Sequence, residues 1–120
     1  MSVYNSREYG RSLILPTPMV ELGGAVVLTG AVTLTANSPR LLLLDASLAG
    51  FTVTLPAAPY EGQTYHFSEN YGSANAVVLD GNGKNINGAA TLTMNAAYRQ
   101  RVIRYNGALG GQWVVIGGIG

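Results

Sequence analysis

Phe51-Thr52-Val53-Thr54-Leu55 alternates apolar and polar side chains with a period of two. In a strand, that spacing puts Phe51, Val53 and Leu55 on one face and Thr52 and Thr54 on the other. Pro56 offers no backbone donor, so Pro56-Ala57-Ala58-Pro59 ends the pairing. Glu61-Gly62-Gln63 then opens a second strand through Thr64-Tyr65-His66-Phe67. Looser versions of this pattern predict strands over 25–29, 31–35, 40–45, 51–55, 63–68, 76–80, 90–94, 99–105 and 112–116. Gly30, Asn37-Ser38-Pro39, Asn70-Tyr71-Gly72-Ser73, Asp80-Gly81-Asn82-Gly83 and Asn106-Gly107 separate them. Turn signals about every ten residues point to an all-β fold, an antiparallel β-sandwich or barrel.

Two stretches break the simple alternation. Leu41-Leu42-Leu43-Leu44 is continuously apolar, which suggests either a strand buried on both faces or a short helical turn. In Gln112-Trp113-Val114-Val115-Ile116, Trp113 and Val115 share one face and Val114 and Ile116 the other, so both faces are apolar. Such a strand is either buried in the core or sealed by another subunit. The strands flanking Gly30 resemble one another, but this local echo does not establish a repeat.

Residues 1–23 follow neither period. They hold Tyr4, Arg7, Tyr9, Arg11, the triplet Leu13-Ile14-Leu15 and the breaker Pro16-Thr17-Pro18. We read them as an extended N-terminal docking arm, with residues 24–120 forming the β domain. Tyr4, Tyr9, Leu13 and Leu15 are the expected anchors and Arg7 and Arg11 their polar partners.

Composition sharpens this picture. Of 120 residues, 48% are apolar and only 11% are charged, against a usual quarter or so. So little charge suggests that other chains cover part of the surface, the alternative being a monomer with a neutral surface of Thr, Asn and Gly. The net charge of +1 gives no electrostatic case for nucleic acid or an anionic membrane. Cysteine is absent, which excludes disulfides, thiol catalysis and thiolate metal sites. The start of the chain lacks a basic segment followed by a long apolar one, so the expectation is cytoplasmic synthesis without cleavage. Residues 22–39 are uncharged but strand-like in alternation, not a membrane span.

Candidate chemistry is sparse. Asp80-Gly81-Asn82-Gly83-Lys84-Asn85 has the outline of a calcium loop, yet Lys84 and Thr91 stand where oxygen ligands belong. Its Asp-Gly and Asn-Gly pairs fit a hairpin turn better. His66, the single histidine, has no nucleophile motif beside it. We therefore expect no enzyme activity, cofactor or metal. Arg99 and Arg101 share a strand face and, with Trp113 and Val115, are candidates for an oligomer interface.

The order of Asp45-Ala46-Ser47, the 51–56 strand, Glu61-Gly62-Gln63-Thr64-Tyr65, Asp80 to Gly88, and Gly107 to Ile116 resembles the small β modules of tailed-bacteriophage virions. The likeness covers roughly residues 40–117 and rests on order and spacing. Such modules occur in tail fibres, spikes and capsid decoration proteins, commonly as trimers. The resemblance implies a virion structural protein with no catalytic residues to carry over. Without a shaft or collagen-like segment, the chain looks more like a capsid decoration (cement) protein than a tail fibre. The expected partners are two further copies and the major capsid protein, with the arm laid along the shell. The alternative is a tail-tip module contacting host glycans through Asn70, Tyr71, Asn75 and Tyr98; a spike-associated hydrolase is a third.

Overall fold

The computed structural model describes residues 19–22, 25–69, 75–95 and 99–118. It is all-β, with ten strands in two sheets among these residues. In chain order they are β1 (Met19–Leu22), β2 (Ala25–Leu28), β3 (Val32–Thr33), β4 (Leu41–Leu44), β5 (Phe51–Thr54), β6 (Thr64–Glu69), β7 (Val77–Asp80), β8 (Thr91–Met94), β9 (Gln100–Asn106) and β10 (Gln112–Gly117). All nine strands expected from the alternation are present, with ends shifted by one or two residues. β1 was not expected: Met19–Leu22, assigned to the arm, pair antiparallel with β2.

The expected antiparallel pairing is corrected for the middle of the molecule. Sheet order is β1-β2-β4-β6-β9-β10 in one layer and β3-β5-β7-β8 in the other. From β2 to β7 successive strands alternate between layers. β2–β4, β4–β6, β3–β5 and β5–β7 therefore pair in parallel. The chain makes three turns of a flattened coil, and the flanking β1–β2, β7–β8, β6–β9 and β9–β10 pairs close it antiparallel. The strands flanking Gly30 echo one another because they are the two sides of one such turn. Their connection, through residues 29–31, crosses between layers and does not form a hairpin.

One core lies between the sheets. Val26, Leu28, Leu42, Leu44, Tyr65, Phe67, Ile103, Tyr105 and Trp113 enter from the larger layer. Val53, Leu55, Val77, Leu79 and Met94 meet them from the smaller one. In-register parallel pairing sets like beside like: Leu42 sits between Val26 and Phe67, and Val53 between Val32 and Leu79. Three rings knit its centre, with Tyr65 5.7 Å from Trp113 and Tyr105 5.5 Å from Trp113 edge-on. Phe51 packs against this core and Val53 and Leu55 lie within it, on the face the alternation assigned.

Candidate functional site

Registers in the larger sheet decide which side chains face out. Leu41 is opposite His66, and His66 opposite Val102; Leu43 is opposite Ser68, and Ser68 opposite Gln100. Arg104 lies opposite both Thr64 and Val114. The leucine run is therefore split: Leu42 and Leu44 are core, while Leu43 is half-buried and Leu41 is 39% exposed on the outer face. Val102 and Val114 are half-buried on that face. Ile116, the extra residue of a bulge between Val115 and Gly117, is 56% exposed. His66 sits among them with Nε2 3.1 Å from Gln100 Oε1. Apolar side chains of β4, β9 and β10 thus flank the polar outward row of β6, Thr64, His66 and Ser68, with the exposed Arg104 beside Val114.

Of the interface candidates on β9 and β10, Trp113 is completely buried and the half-buried Val115 packs against the same core. The division of β10 into two faces holds, but the face left outside carries Val114 and Ile116. Arg101 shares the inward row of β9 with Ile103 and Tyr105, Arg99 directly precedes the strand, and Arg104 is its exposed outward arginine. Glu69, buried and also inward, donates its backbone N–H to Arg99 O at 2.8 Å. Glu69 and Arg101 therefore share one end of the core-facing row, with the Arg99 backbone beside them. Glu69 was legible, since it continues the parity of Tyr65 and Phe67, but it was not singled out.

A second feature sits where two loops meet. Asn82-Gly83 and Asn87-Gly88 each place two consecutive residues at positive φ, the signature of a type I′ turn. Lys84 N donates to Gly81 O at 3.2 Å in the first, and Ile86 and Ala89 exchange both backbone bonds in the second. The 81–90 connection is thus a pair of turns and not one tight hairpin. It lies along the free edge of β10: Trp113 N donates to Asn85 O at 2.8 Å, Asn87 N to Trp113 O at 2.9 Å, and Val115 N to Asn87 Oδ1 at 3.0 Å. This covers an edge that would otherwise offer unpaired donors and acceptors. Between these turns and Gly110-Gly111 opens a polar recess of about 300 Å³, with Lys84, Asn85 and Gln112 on its walls.

The arm residues Tyr4, Arg7, Tyr9, Arg11, Leu13 and Leu15 lie outside the described residues, as do Asn70, Tyr71 and Tyr98. Asn75 is committed to the fold, its Nδ2 donating to Ala46 O at 2.8 Å. Among the described residues no three His, Asp or Glu side chains converge in a way that could hold a metal ion. No helix there is long and apolar enough to cross a membrane. In comparison with known proteins, neither a family model nor a curated protein matches this sequence.

Proposed function

We propose that the chain is a non-enzymatic structural module that associates with its own kind through the outer face of the larger sheet. In the narrower form, it is a capsid decoration protein of a tailed phage, working as a trimer on the shell. The observation that carries self-association is the outward apolar set Leu41, Leu43, Val102, Val114 and Ile116, on a chain with only 11% charged residues. The phage setting is supported by the likeness of residues 40–117 to virion β modules.

Magnitudes fix the character of the contact. An apolar patch of about 300 Å² on each partner, the lower end of what a monomer surface usually carries, would be worth about 15 kcal/mol gross at about 25 cal/mol per Å². That is near the upper end of the ~4–15 kcal/mol cost of association. A lone contact is therefore weak and reversible, and a particle surface that gathers many copies strengthens it through effective concentration.

Sedimentation equilibrium of the full chain tests the broad reading: concentration-dependent association is expected, and Leu41→Asp with Ile116→Asp should return a folded monomer. A wild-type chain that stays monomeric at every accessible concentration would sink it. Cosedimentation with phage capsids tests the narrow reading. Removal of residues 1–18, stopping before β1, should abolish binding while the β domain stays folded; undiminished binding would refute the docking arm.

A further inference from the structure

We propose that the recess between the 82–88 turns and Gly110-Gly111 binds an acidic polyol the size of one sugar, a hydroxylated ligand carrying a carboxylate. This is independent of self-association, which uses the opposite character of surface on β4, β6, β9 and β10.

Charge points to an anion. Lys84 is the chain's single lysine, and the other lining side chains are the neutral amides of Asn85 and Gln112. One ammonium proton is committed, Nζ donating to Ala57 O at 3.1 Å. That bond fixes the head group and leaves two donors. Gln112 is oriented in the same way: its Oε1 accepts from Gly88 N at 3.0 Å, so the donor end of the amide remains. The recess is therefore rich in donors, which suits a carboxylate.

The walls point to a polyol. A Cβ built on Gly83, Gly88 or Gly110 would meet nothing within 4 Å, so the backbone there is open to a ligand. The exposed Asn85 amide offers both a donor and an acceptor. No aromatic ring lines the recess, so recognition would run through hydrogen bonds and not ring stacking. Its 300 Å³ equals about ten water volumes at ~30 Å³ each, room for one sugar ring. The geometry is set before binding, because β10 holds the link between the turns through Asn85 O and the second turn through Asn87 N.

Titration of the isotopically labelled full chain with glucuronate, glucose and acetate, followed by amide chemical shifts, tests the site. Glucuronate should give saturable shifts at Lys84, Asn85, Gly88 and Gln112 with millimolar affinity, and both other probes should bind more weakly. Lys84→Gln should weaken glucuronate binding at least about tenfold, the loss of one charge-assisted hydrogen bond. Asn85→Ala, at an exposed side chain, should weaken it about threefold with the remaining spectrum unchanged. Absence of saturable shifts, affinity unaltered by Lys84→Gln, or acetate binding as tightly as glucuronate would each overturn the assignment.

Discussion

Tyr65 is buried, yet its hydroxyl is used twice. It donates to Thr35 O at 2.9 Å and accepts from Gln63 Nε2 at 2.9 Å, and Gln63 Oε1 in turn accepts from Tyr60 N. This short chain ties the 60–63 turn to the segment after β3 across the core. Burial, with Tyr60 adding to it, raises the Tyr65 pKa from 10.0 to about 12, against a lowering by the Gln63 hydrogen bond. The unfolded chain then ionises first. Stability from this group is intact below pH 10.0 and is lost as pH climbs towards about 12. Tyr65→Phe strands the buried Gln63 amide and should cost about 1–3 kcal/mol at neutral pH. Chemical denaturation across the alkaline range should also show a shallower decline for the variant; parallel curves would remove Tyr65 as the source.

Turns between elements divide their glycines by two different needs. Gly81 follows β7, and an added Cβ would collide with the backbone carbonyl of Lys84. Gly83 has open space around that position but a φ of 89°, where side chains are strained. Gly81→Ala should therefore force the turn apart and cost about 2 kcal/mol or more, by the steric argument for a close-packed backbone. Gly83→Ala should cost about 1 kcal/mol, the left-handed penalty alone. Urea unfolding of the two variants separates these needs, and equal losses would refute the distinction. These turns also show where legibility in sequence stops. Asp80-Gly81-Asn82-Gly83 announced a turn, and period-two alternation located nine strands, because both are local properties of the backbone; Asn87-Gly88, an equally local signal, was not read as a second turn. Strand direction is not local: Gly30 marks a break between β2 and β3, but nothing in its sequence tells a hairpin from a connection that carries the chain to the other layer. The parity that separates Trp113 from Val114 was equally plain, but which parity faces inward depends on register with β9, where Trp113 meets Tyr105. The recess depended on Gly88 meeting Gln112, a pairing with no local signature.

Across the whole molecule, the coil sets the order in which contacts can form. Leu42 pairs with Phe67, Val53 with Leu79 and His66 with Val102, so each ladder must close a long stretch of chain before gaining any stability. Loop-closure entropy is lost first, and the parallel neighbours return it only once a turn of the coil is complete. β6 holds the centre of this scheme: it pairs in parallel with β4 and antiparallel with β9, and supplies Tyr65 and Phe67 to the core. Its formation joins the coil to the closing hairpin of β9 and β10. Refolding after rapid dilution from denaturant should therefore be slow, roughly milliseconds to seconds, as expected for folds dominated by non-local pairing. Phe67→Leu, at the junction, should slow refolding more than it speeds unfolding, whereas Met94→Leu on β8 should act mainly on unfolding. Stopped-flow fluorescence of Trp113 in the ring cluster follows both. Refolding in microseconds, or the same partition for the two variants, would show that the junction does not organise the transition state.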